Sequence, residues 1–173
     1  WDPVLKRDLL WSQEGSQDGA VLYALDIDSG DLIEAHDIPA REVSGILTTP
    51  EGVLYLRTIS GLAPLGNELL RFDPKQRKIE RLGLASTPRN RCFGSVIGRD
   101  GCVYIGTHDQ GRLFRFDPRT DLWSDLGQKV PPPILPKQNI FLLYLHLTST
   151  GKILAAVLRT SPPQVVEIDP EDG

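Results

Sequence analysis

The sequence predicts an all-β fold built from about three and a half copies of one four-stranded unit. Three observations support this prediction: a motif that recurs four times, apolar runs of strand length, and many turn residues. The chain has 173 residues with 16 glycines and 14 prolines. No stretch carries the apolar spacing of a long helix. A chain of this length can bury a sizeable core as one domain.

The recurring motif is an aspartate that follows a short apolar run and begins a turn. The four copies lie at Asp26, Asp73, Asp117 and Asp169, and successive aspartates are 47, 44 and 52 residues apart. In the last three copies a proline follows directly. Aspartate accepts hydrogen bonds from the amides of a turn, and proline fixes φ at the second turn position. We therefore expect each aspartate to cap the turn after the third strand of its unit.

A second turn, ending in glycine, lies upstream of three of these aspartates. It separates two apolar runs and therefore predicts a hairpin of the first and second strands. The third unit is the clearest, and its predicted strands are Cys92–Ile97, Cys102–Thr107, Arg112–Phe116 and Leu122–Leu126. The predicted boundaries of the four units are 1–40, 41–87, 88–136 and 137–173, of which the first and last are partial.

Four strands in every 40 to 50 residues are typical of a β-propeller blade. A β-sandwich would also have short strands, but it would not repeat one unit in register. The first unit begins at its second strand, near residues 8–12, and the last stops after its third strand. Unclosed ends would expose sheet edges, and the chain has no methionine. We expect part of a longer propeller or a ring completed by another chain, with a compact four-bladed ring as the third possibility.

The third unit also resembles a known superfamily. It reads D-G-C-V-Y-I-G-T over residues 100–107 and G-R-L-F-R-F-D-P-R-T over residues 111–120. These motifs are similar to the blades of the β-propeller superfamily, which includes the virginiamycin B lyase, polysaccharide-lyase and quinoprotein-type propellers. The resemblance implies the fold and not the activity, because one fold carries many functions.

Composition and charge exclude several classes of function. The net charge of −4 is scattered, which argues against a nucleic-acid-binding protein with a basic face. Apolar runs such as Ile140–Leu145 are of strand length, well short of the ~18 residues of a membrane span. No dinucleotide, phosphate-loop or nucleophile motif is present, so no cofactor is expected. The compartment stays open; a processed N-terminus would favour a secreted or periplasmic protein.

Two clusters could suggest a metal or a disulfide. Asp26, Asp28 and Asp31 share one turn but lack the distal glutamate of a calcium loop, so no metal site is expected. If Ile97 faces Cys102 across their hairpin, Cys92 faces Thr107. The two sulfurs are then about 16 Å apart along the sheet, at ~3.3 Å per residue. This distance excludes a bridge, and both cysteines are predicted to be small buried residues.

The candidate site lies at one end of the strands. Two kinds of connection meet there: the loops between second and third strands, and the links from one repeat to the next. His108 begins one of these loops, and His146 lies on an innermost strand that would line a central channel. The proline-rich segment 131–136 is expected to cross the same face as a stiff link. The predicted ligand-contacting residues are Arg57, Arg89, Arg91, Asp109, His146 and Arg159, with His108 as the candidate catalytic residue.

Two functions fit this surface. The first is a platform that binds a protein or a ligand, with an anionic small molecule or a saccharide as the candidate ligand. The alternative follows from the resemblance to lyase propellers: an enzyme that acts on an anionic saccharide or a lactone. His108 would then act as the general base, and nearby arginines would stabilise the enolate-like charge. His36, on an outer strand, is expected to lie at the surface.

Overall fold

A computed structural model describes residues 1–16, 19–40, 42–58, 68–84, 92–108, 111–129, 140–158, 160 and 162–171. Within these ranges 14 strands form four antiparallel sheets, and the described residues contain no helix. The all-β prediction is therefore confirmed. In the described ranges there is also no helix with the length and apolar composition that crossing a membrane requires.

Each sheet is a meander whose strands pair in chain order. Sheet I contains β1 (Leu9–Ser16), β2 (Gly19–Asp26) and β3 (Leu32–Ile38). Sheet II contains β4 (Val43–Thr48), β5 (Leu54–Thr58), β6 (Glu68–Asp73) and β7 (Lys78–Leu84). Sheet III contains β8 (Cys92–Ile97), β9 (Val103–Thr107), β10 (Arg112–Asp117) and β11 (Leu122–Gln128). Sheet IV contains β12 (Phe141–Leu147), β13 (Ile153–Leu158) and β14 (Gln164–Ile168).

The repeated aspartates cap turns as predicted. In every sheet the carboxylate accepts a hydrogen bond from the backbone amide two residues further along the chain. The oxygen–nitrogen distances are 3.0 Å for Asp26, 2.8 Å for Asp73, 3.0 Å for Asp117 and 3.0 Å for Asp169. Each bond gives a partner to an amide that the tight turn would leave without one.

The glycine turns between the first and second strands are also present. Gly52, Gly101 and Gly151 have φ angles of +86°, +77° and +92°. This left-handed region is accessible to glycine at little cost. Each of these amides bonds to the carbonyl three residues earlier, at 3.0 to 3.1 Å. The turns therefore close the hairpins β4–β5, β8–β9 and β12–β13 in the same way.

The chain divides into two compact units, residues 1–83 and 84–173, each of which contains two of the four sheets. From here on these two bodies are called the first and the second unit. In the first unit sheets I and II bury a core that includes Leu22, Leu56 and Phe72. In the second unit β12 packs against β8 and β9. The core of this second unit includes Leu113 and Leu142. Each unit thus buries apolar side chains between two neighbouring sheets, which a single sheet could not do.

An ion-pair network fastens the N-terminal residues to the first unit. The Asp2 carboxylate is fully buried and lies 2.9 and 3.1 Å from the guanidinium nitrogens of Arg77. Burial opposes its ionisation, but the amides of Leu5 and Val4 and the Arg77 guanidinium hold the pKa of Asp2 below its usual range. Arg77 also contacts Glu34.

The same network corrects the expectation for His36. The side chain of His36 is only 21% exposed, because its ring lies 4.8 Å from that of Phe72 and its Nε2 lies 3.1 Å from Glu34. Phe72, which covers the ring, and Arg77, which contacts Glu34, both come from sheet II. The residues next to His36 in the sequence therefore did not indicate its burial.

Both cysteines are buried and form no disulfide, as predicted. Cys92 faces Thr107, which agrees with the predicted register. Ile97 faces Val103 rather than Cys102, so the pairing near the turn differs by one residue. A β-bulge between Cys92 and Gly94 absorbs this difference.

Gly106→Ala should destabilise the second unit. A methyl group at Gly106 in β9 would lie 2.5 Å from the Leu142 carbonyl oxygen in β12, so a strand must move. We expect the free energy of unfolding in urea to fall by about 1–3 kcal/mol. Gly30→Ala is the control, because Gly30 has a φ of +76° but nothing within 4 Å of the added methyl. Its dihedral cost is about 1 kcal/mol, and an equal loss in both variants would contradict the steric argument.

Asp117→Asn should reduce the sensitivity of the protein to acid. Hydrogen bonds from the Arg119 side chain, at 2.9 and 3.0 Å, and from its amide lower the pKa of Asp117 from 3.8 to about 2. Because the folded-state pKa is the lower one, the stabilisation is complete above the ordinary value and is lost as pH falls toward 2. As pH falls through this range, the melting temperature of Asp117→Asn should therefore fall less than that of the parent protein. The control Glu51→Gln, at an exposed site, should lose as much melting temperature as the parent. An unchanged slope in Asp117→Asn would refute this assignment.

Candidate functional site

In each of sheets II and III a buried threonine stands at the predicted loop end of the second strand. Thr58 ends β5, and its Oγ1 donates to the Glu68 carbonyl and accepts from the Glu68 amide, both at 3.0 Å. Thr107 ends β9, and its Oγ1 donates to the Arg112 carbonyl at 3.2 Å. Both side chains therefore hold the start of the third strand beside the end of the second. The loops that leave these strands begin from a fixed base.

Arg57 lies beside this base, but its side chain is held within sheet II. It is only 7% exposed. Its Nε donates to Ser44 Oγ at 2.7 Å, and its Nη2 donates to the Ser44 carbonyl at 2.9 Å. A methyl group on Gly45 would lie 3.1 Å from Nη2, so glycine leaves room for the guanidinium. The guanidinium of Arg57 thus fastens β5 to β4.

His108 directly follows β9, as predicted, and lies between two sheets. Its ring is half-buried and meets the Phe141 ring of β12 edge-on, with 3.8 Å between the ring centroids. Edge-on aromatic contacts of this kind fix ring orientation and contribute about 0.5–1.5 kcal/mol. His108 is therefore positioned by sheet IV as well as by its own strand.

His146 occupies an exposed position on β12 and faces Leu154 of β13. The pairing of these strands is irregular between Leu143 and His146. Within this irregularity Tyr144 has a φ of +50° and is 77% exposed. His146 is thus open to solvent beside a distorted part of the strand.

The remaining predicted site residues lie outside the described residues: Arg89, Arg91, Asp109, Arg159 and the proline-rich segment 131–136. Of the predicted site residues at the strand ends that are described, Arg57 lies in β5 in the first unit, and His108 directly follows β9 in the second. Over the part of the chain that is described, no group of three or more His, Cys, Asp or Glu residues could hold a metal ion.

The opposite end of sheets III and IV carries a cleft that the sequence analysis missed. Its volume is about 280 Å³, and it is lined by residues 99–100, Tyr104, residues 150–152 and residues 169–171. The lining comes from the β8–β9 turn, the β12–β13 turn and the segment that follows β14. The available sequence signal was indirect: a glycine turn and an aspartate–proline turn recur at this end of sheets II, III and IV.

A hydrogen-bonded network centred on Asp100 forms one wall of the cleft. Asp100 accepts hydrogen bonds from the Tyr104 hydroxyl at 3.0 Å, the Cys102 amide at 3.1 Å and Arg115 Nη2 at 3.2 Å. Burial opposes its ionisation, but these bonds hold the pKa of Asp100 below its usual range. Burial and the bond to Asp100 raise the pKa of Tyr104 to about 12. The charge states in this wall are therefore fixed at neutral pH.

Comparison with known proteins by sequence gives no match, either to a protein-family model or to a curated protein. Solved structures do match. The extracellular domain of BT4673 from B. thetaiotaomicron is 22% identical with a TM-score of 0.62, over 96% of this chain and 22% of that one. Virginiamycin B lyase from Staphylococcus aureus is 15% identical with a TM-score of 0.57, over 95% and 57%.

An auxiliary nutrient binding protein from Bacteroides thetaiotaomicron is 15% identical with a TM-score of 0.60, over 96% of this chain and 39% of that one. The chain thus spans less than two thirds of the length of these proteins. At such identities the likeness concerns the fold alone. Virginiamycin B lyase is one of the propellers whose blades the sequence motifs of sheet III resemble. The repeat and these likenesses support a fold of the β-propeller type and identify no specific protein.

Proposed function

We propose that the four sheets are propeller blades and that this chain is a segment of a propeller completed by further sequence or by another chain. Sheet I would be a blade without its innermost strand, and sheet IV a blade without its outermost strand. One pattern of burial supports this proposal. Leu54, Val103 and Ile153, at one repeat position, are fully buried, whereas the equivalent Leu10 in sheet I is 53% exposed.

The proposed function is a platform that binds a ligand or a partner protein through the loop end. The observation that carries it is found in each unit separately: Thr58 in sheet II and Thr107 in sheet III bond to the start of the third strand and fix the strands from which the loops leave. Arg57 would reinforce the base through Ser44. The proposed contact residues are Arg89, Arg91, His108, Asp109, His146 and Arg159.

The pKa shifts of the described residues also favour a scaffold. The pKa values of Asp100 and Asp117 are lowered, and those of Cys102 and Tyr104 are raised to about 12. Each of these shifts moves the group away from neutral pH, whereas a general acid or base works best with a pKa near it. A nutrient binding protein among the structural neighbours is compatible with a binding role.

The second candidate is a lyase that acts on an anionic saccharide or a lactone. The structural likeness to virginiamycin B lyase and streptogramin B lyase favours it. So does the position of His108, whose ring is oriented by Phe141 at the start of a loop. In this alternative His108 would remove the proton next to a carboxylate or carbonyl group.

One titration separates the two candidates. The chain is titrated with oligogalacturonate by calorimetry, while ultraviolet absorbance follows any unsaturated product. The platform predicts saturable binding without turnover, weakened about tenfold or more in Arg89→Gln/Arg91→Gln, because each charge-assisted hydrogen bond contributes about 1.5–3 kcal/mol. The control Lys75→Gln/Lys78→Gln removes two charges at the other end of sheet II and should bind as the parent.

The opposite outcomes are distinct. Turnover that disappears in His108→Ala would replace the platform with the lyase. Equal affinity in the double-arginine variant and the parent, or no saturable binding, would overturn the proposed ligand class for the loop end.

The segment proposal predicts association in solution. The edge strand β14 carries Val165 with 71% exposure, and Leu10 presents a second uncovered apolar side chain. Exposed apolar edges promote pairing with other chains. Light scattering on a size-exclusion column should therefore give a mass that rises with concentration. A monodisperse 19.2 kDa monomer with one cooperative melting transition would contradict the proposal.

A further inference from the structure

The cleft between sheets III and IV carries charges of both signs that do not neutralise each other. Two of its charged groups are already paired: Lys152 with Glu167 at 2.8 Å, and Asp100 with Arg115 at 3.2 Å. The others are Arg99, Asp169 and Glu171. Among the described residues none of these three makes an ion pair. A cation from one sheet and two carboxylates from the other therefore line the same small space.

The position of Arg99 depends on a glycine. A methyl group on Gly151 would lie 3.1 Å from Arg99 Cδ and 3.5 Å from its Nε. Gly151 thus leaves room for the side chain of Arg99 to lie across the β12–β13 turn. This contact keeps the guanidinium at the cleft although Arg99 itself is exposed.

The first unit contains a peptide at the corresponding place. There a methyl group on Gly52, the equivalent of Gly151, would lie 2.8 Å from the Trp1 carbonyl oxygen and 3.2 Å from Pro3 Cδ. A segment of main chain therefore covers this turn, and its Asp2 carboxylate pairs with Arg77. Arg77 lies four residues after the repeated aspartate.

The described part of the second unit differs at both places. The three atoms nearest to a methyl group on Gly151 all belong to the side chain of Arg99, and the sequence has Gly173 four positions after Asp169. The surface that holds a peptide segment in the first unit is therefore an open cleft in the second. Its unpaired charges are those that the two ends of a peptide require.

We propose that this cleft binds a zwitterionic amino acid or short peptide, with its carboxylate at Arg99 and its ammonium group at Asp169 and Glu171. A guanidinium binds a carboxylate through two parallel hydrogen bonds, and carboxylates accept from an ammonium group. The volume of about 280 Å³ lies at the lower end of the range for ligand pockets, which fits one or two residues. The site lies at the opposite end of the strands from the loop platform, so the two proposals stand separately.

The test uses three dipeptides of similar size with the full chain, followed by NMR chemical shifts. Glycylglycine carries both charges, N-acetylglycylglycine lacks the ammonium group, and glycylglycinamide lacks the carboxylate. We expect saturable shifts at the cleft with glycylglycine, and about tenfold weaker binding of each capped peptide.

Variants assign each end of the ligand. Arg99→Gln should weaken glycylglycine about tenfold but leave glycylglycinamide unchanged, because only the former has the carboxylate that Arg99 binds. Asp169→Asn/Glu171→Gln should weaken glycylglycine and leave N-acetylglycylglycine unchanged. Asparagine can still cap the turn, and an unchanged melting temperature confirms the fold. Arg112→Gln, at the other end of sheet III, is the control and should bind all three as the parent.

Three results would overturn the proposal: equal affinities for the three dipeptides, loss of glycylglycinamide binding in Arg99→Gln, or no saturable shift at the cleft. None of them affects the loop platform, because that proposal is tested with oligogalacturonate and the arginines at positions 89 and 91. Conversely, Arg99→Gln should bind oligogalacturonate as the parent does.

Discussion

The shared register of the second and third strands is the constraint on which the rest of the structure depends. In sheets II, III and IV the residue before the capping aspartate pairs with the residue two positions after the turn glycine. The pairs Leu54–Phe72, Val103–Phe116 and Ile153–Ile168 result from this register, and all six side chains are buried. A slip of one residue would turn them to the opposite face of the sheet. The register of this strand pair thus decides which residues form the core.

Within each unit, the approach of neighbouring sheets depends on positions without side chains. β12 comes within contact of β9 because Gly106 leaves space for the Leu142 carbonyl, and it comes close to β8 at Gly94. The peptide or side chain that covers a hairpin turn likewise lies on a glycine, Gly52 or Gly151. In this repeat, aspartates cap the turns within each sheet, and glycines determine how closely neighbouring sheets approach each other within a unit.

The sequence was informative where the structure is determined locally. The strands of sheet III could be predicted within two residues at each end. Glycine marks the turn between β8 and β9, and an aspartate followed by proline marks the turn between β10 and β11. The bulge near Cys92 and the burial of His36 could not be predicted, since they depend on pairing details and on residues from another sheet. The cleft was missed for the same reason. Its lining comes from three separate turns, and only packing brings Arg99 and Asp169 to one place.

At the turn end of the strands, the two units pair their charges in different ways. In the first unit the buried Asp2 needs Arg77 as its partner, because an unpaired buried carboxylate would be strongly destabilising. In the second unit Asp100 obtains its partners from Tyr104 and Arg115 of its own sheet. On the facing turns, Asp169 caps its own turn through the Glu171 amide, while Arg99 and Glu171 make no ion pair among the described residues. Residues without a structural partner are available for binding, and on this ground the peptide site is proposed in the second unit and not in the first.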